Sequence, residues 1–277
     1  EQMEPEGTAV LQTPVDLVHQ EDPTRPVTSA CDDIEAHIPT TEAFLAALDV
    51  VGYNYVDRWA ERREHYYSQD RERYPHRRMI GTENISGGGI RGDYDLASAG
   101  GWSGPYPTRT IRAEQLWKAT RRHDYVAGDY MWTGIDYLGE TRWPHKNASC
   151  GVIDMCGFPK DGYYFYQSQW TREPMLHLFP HWNWHGKEGQ VIPVLCYTNC
   201  ESVELLINGK SCGVKSYAFP RPGMKGVEWA PDFGAVHPTT ADLHLAWDVP
   251  YEPGTLRAVG TKGGQVVCVQ EIVTAGA

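Results

Sequence analysis

The chain has 277 residues, enough for one large domain or two ordinary ones, with ordinary apolar content and a heavy aromatic share that includes ten Trp and sixteen Tyr. A net charge of −11 argues against nucleic acid and against anionic membrane surfaces as partners. No apolar run approaches the roughly 20 residues of a membrane span. The seven cysteines (Cys31, Cys150, Cys156, Cys196, Cys200, Cys212, Cys268) show no CxxC pair and no zinc-finger spacing, so buried thiols in a reducing, cytoplasmic setting are the expectation, with a single bridge left open. The start at Glu1, without Met or a signal peptide, reads as a cut end.

Taken in order, Val10, Leu11, Val15, Leu17 and Val18 suit a helix that Pro14 disturbs in its middle. Asp22-Pro-Thr-Arg-Pro26 is a turn, and Val27 to Cys31 a short strand. A Thr at 40 or 41 caps a helix whose apolar face is Phe44, Leu45 and Leu48. Asp49-Val-Val-Gly-Tyr-Asn-Tyr55 is a second strand, and the charged stretch Asp57 to Arg78 reads as a solvated helix and loop.

Arg78-Met-Ile-Gly-Thr-Glu-Asn-Ile-Ser86 is a short apolar run that stops on a carboxylate, with Gly87, Gly88 and Gly89 directly behind it. In a parallel α/β sheet the carboxyl end of a strand faces the crevice where ligands sit, so Glu83 is the candidate for chemistry. On spacing alone a solvated strand-end carboxylate stands equally open. A long Gly/Ser/Tyr/Trp-rich loop around Trp102 to Tyr106 follows, then a helix from Ile111 to Arg122 and a fourth strand from Tyr125 to Thr133. Asp161 to Arg172 is the last helix of this part.

Four strand–helix repeats imply a parallel sheet with crossover helices, and a full (β/α)8 barrel needs about 250 residues, so half a barrel is what fits. From His177 the pattern changes to short strand-like runs: Val191 to Tyr197, Val203 to Ile207, Asp242 to Trp247, Thr255 to Val259 and Val266 to Val273. Leu243, Leu245 and Trp247 alternate with Asp242, His244 and Ala246 as in a half-buried strand, and Asn208-Gly209 signals a hairpin. Such a run of strands and turns reads as an immunoglobulin-like β-sandwich. The expected fold is therefore α/β plus all-β, a partial (β/α)8 barrel over residues 1–174 followed by a sandwich over 175–277. His177, His181 and His185 repeat every four residues, but Pro180 breaks the helix that would align them, and no metal site is expected.

Asp22-Pro-Thr-Arg-Pro-Val-Thr28, Asp49 to Tyr55, Gly81-Thr-Glu83, Asp129-Tyr-Met-Trp-Thr-Gly-Ile-Asp-Tyr-Leu-Gly139, Pro180-His-Trp-Asn-Trp184, Asn208-Gly-Lys210 and Val249 to Gly254 together resemble the C-terminal half of glycoside hydrolase family 2, the β-galactosidase and β-glucuronidase family. The resemblance implies a retaining β-glycosidase of the β-galactosidase branch, with barrel strands five to eight present and the earlier domains and strands absent. It implies that Glu83 is the nucleophile and that Glu1 is the acid/base or its immediate neighbour. Tyr55 maps onto the family's strand-six tyrosine and Trp132 onto its sugar-stacking tryptophan. Asn54 suits a sugar hydroxyl, and Trp143 is a candidate wall of the pocket. No organic cofactor is implied, and the partner is a β-galactoside or oligosaccharide substrate. A second reading stays open, a non-catalytic half-barrel that binds sugar or associates with another copy as a homo-oligomer through its exposed sheet edges.

Overall fold

A computed structural model describes residues 4–32, 40–56, 66–85, 89–94, 108–121, 123–141, 146–216 and 243–276. The chain divides into two compact units, Glu1–Ile85 with Leu116–Trp132, and Ser86–Gln115 with Thr133–Ala277.

The first unit is built on a four-stranded sheet of β1 (Thr28–Cys31), β2 (Val50–Asn54), β3 (Met79–Ile85) and β4 (Val126–Trp132), hydrogen-bonded in that order and parallel throughout. Parallel pairing requires long crossovers, and helices supply them: α2 (Glu42–Ala46) after β1, α3 (Tyr66–Arg73) after β2 and α4 (Thr108–Arg121) after β3, with α1 (Pro5–Glu21) leading in. Pro14 lies inside the 17-residue α1. Thr41 caps α2, its hydroxyl accepting the Phe44 N–H at 3.2 Å, while Phe44 and Leu45 are buried.

The charged stretch before β3 is less solvated than its composition suggests. Tyr66, Tyr67 and Asp70 of α3 are buried, and the two tyrosine rings lie 6.3 and 5.0 Å from that of Tyr53 on β2. The Tyr53 hydroxyl donates to Asp70 at 2.5 Å, and Arg77 reaches the same carboxylate at 3.1 Å and Glu42 at 3.1 Å. Burial, then the charge of Asp70, pushes the Tyr53 hydroxyl well above its ordinary range, so it acts here as a fixed donor. The arginines that dominate this segment's composition mask a helix face of two rings and one carboxylate.

The second unit ends in the sandwich. A three-stranded sheet has the order β5 (Leu176–Phe179), β6 (Val191–Thr198), β9 (Leu245–Pro250), and a four-stranded sheet the order β11 (Gln265–Val273), β10 (Thr255–Lys262), β7 (Ser202–Ile207), β8 (Lys210–Ser216). All pairings are antiparallel. The core draws Leu178, Ile192, Val194 and Trp247 from one sheet and Val203, Leu205, Leu256 and Ala258 from the other. Asn208 and Gly209 turn the chain between β7 and β8 with φ of 48° and 80°, the left-handed pair that an Asn-Gly hairpin turn demands.

Sequence patterning passes over β5 and β8. β5 is only four residues long, and β8 is largely exposed with polar side chains. It also places Asp242 to Trp247 on a half-buried strand, whereas Asp242 lies outside the described residues, β9 begins only at Leu245, and Leu243, His244, Leu245, Ala246 and Trp247 are each 5 % exposed or less. Glu114 of α4 is the reason. Its carboxylate accepts the Leu243 N–H at 3.0 Å, meets His244 Nδ1 at 2.8 Å and accepts the Tyr197 hydroxyl at 2.7 Å. His244 stands just before β9, which begins at Leu245, and is buried with its Nδ1 partnered.

Candidate active site

The site is assembled at the carboxyl end of the parallel sheet. β3 opens with Met79 buried in the core and closes on Glu83, Asn84 and Ile85. Its register against both neighbours slips at this end: Tyr53 pairs with Gly81 but Asn54 with Glu83, and Gly81 pairs with Asp129 but Asn84 with Met131. The extra residue is a β-bulge around Thr82 and Glu83. Bulges bend a strand and re-aim a side chain, and they favour positions next to active sites. Here the bulge lets Glu83 and Asn84 point to different surroundings.

Glu83 is half-buried, and Asn54 Nδ2 stands 3.5 Å from its Oε2. Asn54, 7 % exposed, in turn accepts from the Thr82 hydroxyl at 3.4 Å. Asn84 is 2 % exposed and works on the other side, where its Oδ1 accepts the Val56 N–H at 3.2 Å and its Nδ2 donates to Asp129. Gly81 makes room for this arrangement, since a Cβ there would come within 2.3 Å of Asp129 Oδ1 and 2.6 Å of Asn84 Nδ2.

Tyr55 follows Asn54 with φ of +47°, a left-handed backbone that is uncommon for a large side chain. Its N–H donates to the Glu83 carbonyl at 2.6 Å. Local strain of this kind persists where surrounding contacts over-determine it, and it concentrates at functional sites. Trp132 ends β4 opposite Ile85 of β3 and is partly exposed. The structure therefore brings Glu83, Asn54 and Tyr55 into one hydrogen-bonded group and sets Trp132 on the adjoining strand end. Glu1 and Trp143 lie outside the described residues, as do Gly87 and Gly88 and the stretch around Trp102.

Sequence reading missed Thr82, Asn84 and Asp129 in this group. The signal was there in part, since Gly81-Thr-Glu-Asn84 crowds three polar side chains at the end of an apolar strand. His177, His181 and His185 do not lie on a helix. His177 lies on β5 with its Nε2 2.6 Å from Asp161, while the His181 ring packs tilted against Trp184 with centroids 4.7 Å apart and burial lowers its pKa. Among the described residues no group of three His, Cys, Asp or Glu side chains is placed to hold a metal ion. The thiol of Cys31 is pushed up to about 12 by burial, which makes it a core side chain rather than a nucleophile.

Comparison with known proteins extends these observations. Residues 189–268 match a family described only as a domain of unknown function, DUF4982. Beta-galactosidase BoGH2A of Bacteroides ovatus is 35% identical over 293 aligned residues, covering 95% of this chain and 30% of that protein. A putative beta-glucuronidase of Formosa agariphila is 39% identical over 170 residues, 58% of this chain and 15% of that protein. Among solved structures, a beta-glycosidase from Bacteroides vulgatus superposes over 99% of this chain and 35% of its own, with a TM-score of 0.74 and 31% identity. A glycosyl hydrolase family 2 member from Bacteroides cellulosilyticus covers 100% of this chain and 32% of its own, with a TM-score of 0.68 and 27% identity. The chain thus spans about a third or less of the length of each relative.

Proposed function

Because the chain belongs to glycoside hydrolase family 2, we propose that it serves in a retaining β-glycosidase that acts on terminal β-galactosides, with Glu83 as the nucleophile. The observation that carries this reading is the bulge at the end of β3, which leaves one half-buried carboxylate beside a buried amide on the next strand. In the first step a Glu83 oxygen bonds to the anomeric carbon as the glycosidic C–O bond breaks, and an acid protonates the leaving oxygen. In the second the same group, now a base, takes a proton from water, which displaces Glu83 from the anomeric carbon. Glu1 holds the acid/base position in this proposal.

Asn54 and Trp132 divide the binding work. The Asn54 amide already meets Glu83 through one N–H and Thr82 through its oxygen, and its remaining N–H is assigned to a sugar hydroxyl. Trp132 offers an aromatic face to the apolar C–H side of a pyranose, and Trp143 is assigned to the pocket wall. Tyr55 holds the backbone of the nucleophile strand. Galactose is favoured because the relative named as a beta-galactosidase aligns with 95% of the chain, against 58% for the putative beta-glucuronidase. In this proposal residues 1–174 are the barrel part and 175–277 the sandwich.

The reading is tested by quenching turnover of a β-galactoside and mapping the glycosylated peptide by mass spectrometry. An adduct on Glu83, with the β-anomer released first in the NMR spectrum, is the expected result. A first product of inverted configuration, or an adduct on another residue, sinks it.

One observation favours a second reading. Among the described residues β1 and β4 each pair on one side only, so the sheet does not close on itself. Open parallel edges favour completion by further strands, from the same protein or from another chain. Sizing combined with a chromogenic β-galactoside assay separates an inert monomer from an assembled, active form.

A further inference from the structure

Asp129 sits midway along β4, half-buried, and takes donors from two neighbouring elements. Its Oδ1 accepts the Nδ2–H of Asn84 on β3, and its Oδ2 accepts the Thr120 hydroxyl of α4 at 3.5 Å. Along the sheet Gly81 faces Asp129 while Asn84 faces Met131, so the Asn84 side chain reaches back along its own strand to meet the carboxylate. It does so through the space that a Cβ on Gly81 would fill.

The far side of the same amide holds the strand end. Asn84 Oδ1 accepts the Val56 N–H at 3.2 Å, with Asn84 2 % and Val56 1 % exposed. Val56 directly follows Tyr55, whose N–H donates to the Glu83 carbonyl at 2.6 Å. An asparagine amide has nearly the same shape either way round, so packing alone does not choose its orientation. Its two neighbours do. A carboxylate accepts and a backbone N–H donates, so only Nδ2 toward Asp129 and Oδ1 toward Val56 satisfies both. Turned over, Asn84 would set oxygen against oxygen and N–H against N–H in a buried place, where unmet polar groups are costly.

We propose that Asp129 is a positioning residue for the nucleophile strand: it fixes the orientation of the Asn84 amide, and through it the Tyr55–Val56 backbone that grips Glu83. The part in turnover rests on Glu83 being the nucleophile; the hydrogen-bonded relay does not. Asp129 acts through Asn84, the next residue after Glu83 on β3, so its effect is on where the Glu83 carboxylate stands. What the relay requires is one amide facing one carboxylate, whichever strand carries each.

Three variants of the full natural protein test this: Asp129→Ala, Asn84→Asp, and the swap that combines Asn84→Asp with Asp129→Asn. Asp129→Ala removes the acceptor, and Asn84→Asp sets carboxylate against carboxylate. The swap restores an amide facing a carboxylate and keeps an acceptor for the Val56 N–H. Hydrogen–deuterium exchange in peptides covering 54–56 is expected to rise about fivefold in Asp129→Ala and to stay near wild type in the swap, with β6, β7 and β10 unchanged. In turnover, kcat is expected to fall about tenfold in both single variants with KM nearly constant, because a displaced nucleophile is felt in the transition state. The swap is expected to recover most of that loss, which a carboxylate serving the fold alone would not give. Unchanged exchange at 54–56 in Asp129→Ala, a loss seen in KM alone, or a swap no better than Asn84→Asp overturns the inference. Should Asp129→Ala fail to fold, Asn84→Asp and the swap keep the side-chain shapes and decide the matter. If Glu83→Gln retains turnover, the nucleophile assignment fails, while the exchange data still decide on the relay.

Discussion

The parallel sheet and the sandwich bury different kinds of side chain. Between the sandwich sheets the cluster of Ile192, Val194, Val203, Leu205, Leu245 and Leu256 is aliphatic, and two of its tryptophans reach a carbonyl at their edges: Trp182 Nε1 donates to Glu252 at 3.0 Å and Trp247 Nε1 to Gly213 at 3.1 Å. The sheet of β1–β4 instead buries Asn54, Asn84 and Asp70 close to its strand ends. An aliphatic core contributes stability roughly in proportion to area and tolerates small shifts. Buried amides and carboxylates contribute little net stability but fix direction, because each unmet hydrogen bond is costly. Stability and orientation are thus handled by different regions of the same chain.

That contrast can be broken most sharply at Glu83. Glu83→Gln keeps the shape and the Asn54 contact, and is expected to lower turnover by about 1,000-fold or more with an unchanged melting temperature, checked by a chromogenic assay beside calorimetry. A melting temperature that falls along with activity would show that the carboxylate serves the fold. At the other pole, Leu205→Ala in the fully buried sandwich core is expected to cost about 2–5 kcal/mol in denaturant unfolding. Asn84→Ala should sit between the two. It strands the Val56 N–H and takes one donor from the Asp129 carboxylate, which keeps the Thr120 hydroxyl, at about 1–3 kcal/mol of stability, and lowers kcat by letting the bulge relax.

The smallest effect concerns pH. The Asp154 carboxyl is held below its ordinary range, first by the hydrogen bond from Arg91, then by the backbone N–H of Phe158 and of Cys156. A depressed folded-state value means that its contribution is complete above the unfolded value of about 3.9 and fades as pH falls through the lower folded value. Carboxyl NMR of Asp154 checks this by locating its midpoint. The Arg91–Asp154 contact, 2.7 Å between Nε and Oδ2, should stay intact at neutral and mildly acidic pH and loosen only below about pH 4.

Much of the fold was legible locally. The Pro23–Pro26 turn bounded β1, and β-branched and aromatic runs bounded β2 and β4, to within a residue or two of their observed ends, and the Asn208-Gly209 hairpin followed from its dipeptide. Glu83 stood out because an apolar strand ended on a charge. The misses share a cause. The buried face of α3 was hidden by arginines on its other side, and its partner Tyr53 lies 17 residues before Asp70. The burial of His244 depends on Glu114, 130 residues earlier in the chain.

By itself, then, the sequence determined the alternation of strands and helices in its first part, the run of short strands that follows and the glutamate near the end of β3, since each is written in side-chain periodicity over a few residues. Tertiary structure alone decided the bulge that aims Glu83 and the left-handed turn at Tyr55. It also decided the pairing of Asn84 with Asp129 across 45 residues. Those features are choices among backbone states of similar local energy, and only hydrogen-bond partners brought from distant segments make one of them the lowest.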